Sequence, residues 1–415
     1  PGTNSRYRNR PKEESARIFT EMREGKHKEG AHVLRAKIKM DSQNMLMRDP
    51  VMYRILFKDH HRTGSKWCIY PMYDWAHGES DYIEKISHSL CTLEFKPHRD
   101  LYEWFLHQLP KENKILPKQR EFARLNMSYT IMSKRKLSYL IEKKIVSSWD
   151  DPRMPTISGM IKRGYPPNAL INFVKKAGIA KRENIIDVSL MEFYVREELN
   201  KTCARVMVVT DEIKLVIINY PEDKHEILEA TNNPEDESQG KRKMIFSKYL
   251  YIEREDFRET ANRKFFRLTT GKEVRLKNAY IIKAENCIKN EKGEVIEVHC
   301  TYDPKSKSGS NSEESQRKVK GTIHWVDINS SIDVNINEYE RLFFKEKPDE
   351  NDDLIKGVNK NSKKLIVGKS EHFVSSLQIG QKVQFQRKGY YIVDSNEGGV
   401  ISFNKTVSLR DGWKK

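Results

Sequence analysis

Cysteine is scarce in this sequence: five residues in 415, at Cys68, Cys91, Cys203, Cys287 and Cys300, odd in number and widely scattered. No Cys-x-x-Cys pair is present to chelate zinc or shuttle electrons, so reduced thiols in a cytoplasmic setting are expected. His88 and Cys91 stand at helical spacing, but no second pair follows them, and no structural metal is expected. Long apolar runs are missing as well. Nothing approaches the roughly 18 residues needed to span a bilayer, and the mean hydropathy is −0.77, which leaves a membrane core nothing to solvate. The chain opens Pro-Gly-Thr-Asn-Ser, with neither an initiator Met nor a charged-then-apolar leader, and reads as a piece of something longer.

What is abundant is positive charge. Lys and Arg number 76 against 59 Asp and Glu, a net charge of +17, so the summed field attracts a polyanion and nucleic acid leads the candidate partners. A merely basic protein has the same composition, so charge gives a direction and not a function. The length suits about three domains, because single cores stop growing well before it.

The texture changes along the chain. Residues 31–39 alternate apolar and polar, as a half-buried strand does. The run from Trp67 ends at Pro71, which cannot donate to a ladder, and 81–90 is helical in composition. From Leu101 to Leu109 apolar residues recur at three- and four-residue spacing, which suits a helix between two strands of an α/β unit. Helical periods at 136–144, 167–176 and 189–199, with breakers such as Pro152 and Gly164 between them, predict a helical subdomain. After Cys203 come short β-branched runs at 206–210, 214–218, 245–252, 273–284, 295–302, 318–325 and 382–393, which argue for antiparallel sandwiches or barrels, and two barrels fit the length. Segments 304–316 and 347–363 are polar and poor in aromatics, and are expected to be mobile loops.

Met132-Ser-Lys-Arg-Lys136 is the sharpest local signal, since a small hydroxyl beside three cations grips phosphates. Arg124 could add a bidentate phosphate contact. Taken alone, the cluster reads as a solvated helix start. It does not stand alone. Ile131-Met-Ser-Lys-Arg-Lys-Leu137 resembles the variant KMSKS loop of class I aminoacyl-tRNA synthetases in the glutamyl/glutaminyl subgroup. Ser5-Arg-Tyr-Arg-Asn-Arg10, Leu34-Arg-Ala-Lys37, Met47-Arg-Asp-Pro-Val51, Cys68-Ile-Tyr-Pro-Met-Tyr-Asp74, His88-Ser-Leu-Cys-Thr92, Trp149-Asp-Asp-Pro-Arg-Met-Pro-Thr-Ile-Ser-Gly159 and Gly271-Lys-Glu-Val-Arg-Leu276 resemble segments of the glutaminyl-tRNA synthetase family, in the right order.

That resemblance implies a multidomain protein: an acceptor-end-binding subdomain over 1–70, the second half of a dinucleotide-binding α/β fold over 71–123, the KMSKS-like loop and helical subdomain over 124–200, and two barrel domains reading the anticodon over 201–415. It implies ATP-dependent ligation of glutamine to tRNA(Gln) through an aminoacyl-adenylate, with ATP and Mg²⁺, by a cytoplasmic monomer without a membrane partner. By the same resemblance Tyr73, His77, Phe95 and Gln119 surround glutamine, and an amide has both donors and an acceptor for such a pocket to read. Without the flanking match, Tyr73 and His77 would read as a core aromatic and a satisfied histidine. Thr92, Arg124, Leu125, Met132, Ser133 and Lys134 match ATP-contacting positions, with Ser133 and Lys134 assisting catalysis and Ile131 to Arg135 forming the motif. Arg205, Arg267, Arg275 and Gln384 match anticodon-reading positions, with Arg387 beside them for the backbone. Forked donors and donor–acceptor pairs suit splayed bases, although each alone is a surface polar residue. Ala180 to Asp187 resembles a tRNA-contacting stretch.

The chain departs from the pattern in three places. Lys96-Pro97 stands where many relatives carry Gln-Asp, which removes an acidic contact to the acceptor stem. Phe266 occupies a position where relatives can be basic, so stacking is expected there. Finally, no His-x-Gly-His segment or preceding Gly-rich turn is present, and the stretch by itself is expected to bind tRNA without forming adenylate. A barrel-type glutamyl-tRNA synthetase and a stand-alone RNA-binding module are the other readings; the 68–74 and 156–159 segments favour glutamine.

Overall fold

Leu101, Tyr102, Phe105 and Leu106 fall on one side of a 3.6-residue period, and they are the buried face of a helix, Arg99–Gln108. This helix crosses between strands His88–Thr92 and Lys118–Phe122, which pair in parallel with Ser89 opposite Gln119; parallel neighbours need such a crossover. The computed structural model describes residues 2–109, 115–350 and 353–410. These form two compact units, Pro1–Leu125 with Ile179–Asn184, and Asn126–Gly178 with Ile185–Lys415.

In the first unit, helix Lys12–Arg23 packs Met22 against Ile55 and Ile69 of an antiparallel sheet, Val33–Arg35, Val51–Ile55 and Ile69–Pro71. Helix Tyr73–Ile83 follows directly. The helical reading of 81–90 holds only for its first three residues: the chain leaves the helix through Lys85, at φ 60°, and becomes strand His88–Thr92. The charged composition of the segment favours a helix, but the partner strand thirty residues away decides the local state.

The second unit opens with helices Lys134–Glu142, Ile157–Arg163, Pro167–Ala177 and Val188–Thr202. Thr156 and Asp187 cap two of them by accepting from the backbone N–H groups of Gly159 and Ser189. Two seven-stranded sheets follow. The first runs in the order Thr322–Ile323, Glu273–Leu276, Ile281–Lys289, Val295–Tyr302, Glu212–Ile217, Tyr249–Glu253, Trp325–Asp327. Its two outermost strands flank His324, so the sheet curls until it almost closes. The second runs Ala204–Val206, Lys382–Phe385, Gly389–Glu397, Val400–Ser408, Ile332–Tyr339, Lys363–Ser370, Val208–Val209, with outermost strands flanking Met207.

These barrel-like sheets are mixed, not antiparallel as expected. Glu212–Ile217 runs parallel to Val295–Tyr302, Ala204–Val206 to Lys382–Phe385, and Ile332–Tyr339 to Val400–Ser408. Antiparallel pairing is natural for hairpins, whereas these pairs join strands far apart in sequence, where long connections allow either sense. Residues 206–209 alternate between two interiors: Val206 and Val208 enter the core of the second barrel, Met207 and Val209 that of the first.

Both expected polar loops carry short helical turns. Ser306 in 304–316 is fully buried and accepts from the Ile281 N–H at 2.8 Å. In 347–363, Leu354 and Val358 dock on Leu137 and Leu140; residues 351 and 352 of that stretch lie outside the described ones. Among the described residues no helix is long and apolar enough to cross a membrane.

Candidate substrate pocket and RNA-reading surface

The first unit brings Tyr73, His77, Phe95 and Gln119 together. Tyr73 and His77 are one helical turn apart on Tyr73–Ile83, with ring centroids 5.2 Å apart, and Phe95 lies 5.3 Å from Tyr73. Gln119 is buried on the second of the parallel strands and donates to the Phe95 carbonyl at 2.9 Å and to Glu121 Oε1 at 2.8 Å. Carboxylates back the cluster. His77 Nε2 sits 2.9 Å from Ser89 Oγ and 3.2 Å from Asp81 Oδ2, which also accepts from the Tyr102 hydroxyl at 2.8 Å. His98 Nδ1 meets Asp74 at 2.6 Å. Arg99 grips Glu121 with both arms of its guanidinium, and this ion pair, with help from Gln119, outweighs burial and holds the Glu121 carboxyl at about 2. Burial pushes the half-exposed Tyr73 phenol up, with the Cys91, Asp74 and Asp81 charges adding to it, so it remains a donor.

The expected ATP contacts are divided between the units. Thr92, Arg124 and Leu125 end or follow the parallel strands of the first, where the Thr92 hydroxyl is bonded to Glu94. Met132, Ser133 and Lys134 belong to the second. There Ile131 is buried among Leu137, Leu140 and Phe343, and so anchors the loop. Ser133 is the N-cap and Lys134, Arg135 and Lys136 fill the first turn, which holds no acidic residue. Three cations at the positive end of a helix dipole oppose it, and an anion is what removes that conflict.

The barrel residues fall into three groups. Arg205 and Gln384 are register partners across parallel strands and both are buried. Arg205 donates to Asn233 Oδ1 and, at 2.9 Å, to Asn200 Oδ1; Gln384 donates to the Tyr390 hydroxyl at 2.8 Å, which in turn donates to Asn200 at 3.3 Å. Arg387 and Arg267 share buried Asp256, at 2.7 and 3.3 Å, where the two barrels meet. Arg387 takes φ 68° to do so. Arg275 is separate: its guanidinium donates to the carbonyls of Ser306 at 2.9 Å and Ser315 at 2.7 Å and to Ser308 Oγ at 3.2 Å, ordering the segment that was expected to be mobile. Phe266 is exposed beside Arg267.

Sequence reasoning missed the partners that orient these groups: Asp74, Asp81, Ser89, Tyr102, Asn200, Asn233, Asp256 and Tyr390. Periodicity marks which side faces inward, not which polar atoms meet there. Among the described residues no group of three or more His, Cys, Asp or Glu side chains could hold a metal ion.

A parallel strand pair joined by a helix, a cation-rich loop opening a helix and two barrels bearing arginines together define a class. Residues 2–201 match tRNA synthetases class I (E and Q), catalytic domain, and residues 203–303 and 322–394 match the anti-codon binding domain of the same group. The chain belongs to the class I tRNA synthetases of the E and Q group. Within that group it is 50% identical to the glutamine–tRNA ligase of Rhodopirellula baltica, over all of this chain and 69% of that protein. It is 49% identical to the glutamine–tRNA ligase of Clostridium perfringens, over all of this chain and 75% of the relative. The enzyme of the same name from Psychromonas ingrahamii is 49% identical, over 99% of this chain and 74% of its own length.

Proposed function

We propose that this protein serves the ATP-dependent attachment of glutamine to tRNA(Gln), with Tyr73, His77, Phe95 and Gln119 forming the amino-acid pocket. One observation carries the choice of glutamine: Asp74 and Asp81 stand behind the ring cluster, while Glu121 is paired with Arg99. A neutral amide enters such surroundings without repulsion, whereas the carboxylate of glutamate meets like charge. The Tyr73 hydroxyl supplies a donor, and His77 either donates or accepts according to its tautomer.

Lys134 and Ser133 are proposed to act on the phosphates, Lys134 as a mobile charge that follows negative charge developing in the transition state. Thr92, Arg124, Leu125 and Met132 would hold the nucleotide, and Mg²⁺ is expected to accompany its phosphates. The conflict between the first-turn cations and the dipole of helix Lys134–Glu142 supports this role, because the conflict vanishes when an anion binds. Arg205, Arg267, Arg275 and Gln384 are proposed to read the anticodon, and Arg387 its backbone. Their present partners are amides, hydroxyls, carbonyls, the His324 ring and the carboxylates of Asp256 and Glu255, against which RNA acceptors compete. A cytoplasmic setting fits the five free cysteines, and a monomer is proposed with it.

The deciding experiment is amino-acid-dependent pyrophosphate exchange by the intact protein with tRNA present. Glutamine is expected to be preferred over glutamate by on the order of a hundredfold or more; a preference for glutamate overturns the reading.

A further inference from the structure

In the first unit a pocket of about 430 Å³ opens between helix Lys12–Arg23, strands Val51–Ile55 and Ile69–Pro71, and the connection that joins those strands. None of the roles above is attached to it, and it shares no residue with the cluster around Tyr73. Five rings line it: Phe19, Tyr53, His60, Trp67 and Tyr70. Phe19 meets Tyr53 edge-on with centroids 5.5 Å apart, and His60 lies 6.5 Å from Tyr70 at a tilt of 36°. Both phenol oxygens are engaged elsewhere: that of Tyr53 accepts from Trp75 Nε1 at 3.2 Å, and that of Tyr70 donates to the Lys58 carbonyl at 2.9 Å. What the pocket presents is therefore ring surface, and Trp67 is 44% exposed.

Polar groups stand among the rings. The Arg62 N–H donates to His60 Nδ1 at 3.2 Å, which leaves the ring proton on Nε2, and that nitrogen has no partner among the described residues. Arg23, at the end of its helix, also lines the pocket, and among the described residues no carboxylate pairs with its guanidinium. The connection turns back through the His60–Gly64 backbone pair, at 3.0 and 2.8 Å. It carries Lys58, Arg62 and Lys66 against the single carboxylate of Asp59, and Lys66 lies 5.7 Å over the Trp67 ring.

Rings alone would suit any apolar molecule, and cations alone any anion. Together they select a planar ring that bears a negative group, and a nucleotide has both. Bases stack on aromatic faces whatever their sequence, a guanidinium takes a phosphate with two donors, and a ring N–H meets the acceptors on a base edge. The volume lies within the roughly 300–1,000 Å³ of small-ligand sites.

We propose that this pocket binds an unpaired nucleotide, with its base stacked among the rings and its phosphate on Arg23. The nucleotide comes from a single-stranded stretch of RNA or from free mononucleotide. The argument rests on the rings and charge of the pocket and not on which amino acid or tRNA the protein selects.

The test is equilibrium dialysis of the full chain against CMP and against cytidine, with tryptophan fluorescence followed in parallel. CMP lacks the adenine ring that the ATP-handling groups proposed above would take. It is expected to bind saturably with a dissociation constant on the order of 1 mM, and cytidine about tenfold more weakly. Arg23→Gln should weaken CMP about tenfold and leave cytidine unchanged; Trp67→Ala should weaken both about tenfold and remove most of the quenching that CMP produces. Both side chains are exposed, so their replacement leaves the interior intact. Repeating the CMP dialysis with tRNA bound separates the sources: exclusion of CMP identifies an RNA nucleotide as the occupant, and coexistence identifies the free one. A CMP affinity equal in wild type and both variants overturns the proposal. So does the failure of CMP to saturate up to roughly 10 mM combined with a tRNA affinity unchanged in Trp67→Ala.

Discussion

Lys134, Arg135 and Lys136 occupy the first turn of a nine-residue helix whose exposed backbone N–H groups already present positive charge. Replacing Lys134 with Ala should lower the rate of amino-acid activation by on the order of a hundredfold while leaving tRNA affinity nearly unchanged. Pyrophosphate exchange and filter binding measure the two, and equal losses in both would contradict a phosphate role. A second expectation concerns Glu121, held at about 2 chiefly by Arg99. An unfolded glutamate titrates near 4.3, so the folded value is depressed. The stabilisation is thus complete above the unfolded value and is lost as pH falls through that window towards 2. Urea midpoints for wild type and Glu121→Gln should differ at neutral pH and converge as the solution is acidified through the window; a gap independent of pH would exclude the ion pair as its source. The types of these residues were legible in the sequence, but their partners were not. Arg99 and Glu121, or Arg205 and Asn233, are joined by tertiary proximity that no local spacing encodes.

Elements were legible where a single face was apolar over several turns. Helices Pro167–Ala177 and Val188–Thr202 fall where their periods predicted, because one buried stripe specifies each, with Pro167 opening the first and Asp187 capping the second. Strands were found but run together: the apolar run 245–252 is two strands, Lys241–Phe246 and Tyr249–Glu253, and 382–393 is a hairpin turned at Arg387. Composition does not show a positive φ at an arginine. Strand Ile332–Tyr339 passed unnoticed because its Asp, Asn and Glu residues hide the alternation that buries Val334 and Ile336. At this scale the conflict between helix Lys134–Glu142 and its own charges becomes testable. Arg135→Glu should stabilise the fold by about 0.3–1 kcal/mol through the helix dipole, read from chemical unfolding, and at the same time slow activation. Stabilisation without loss of rate would remove Arg135 from the phosphate-handling group.

For the whole molecule, the excess of 17 positive charges sets how it meets a polyanion. The logarithm of tRNA affinity should fall linearly with the logarithm of salt, with a slope of several units, about one for each phosphate neutralised. A slope near zero would leave the charge without a role in binding. Charge pointed towards a polyanion without fixing a function, and collinear motifs foretold the family. The sense of the strand pairing escaped, because it depends on where distant segments meet.

The four residues Val206 to Val209 wall off one interior from the other, and their neighbours in the second barrel lie far downstream: about 180 residues separate Ala204 from Lys382. During synthesis at roughly 5–20 residues per second, this seam waits on the order of ten to forty seconds for its partners. The first barrel is in effect a large insertion between strands Val208–Val209 and Ile332–Tyr339 of the second. The order in which the two interiors seal is therefore fixed by the path of the chain, with the one made from the later sequence closing last.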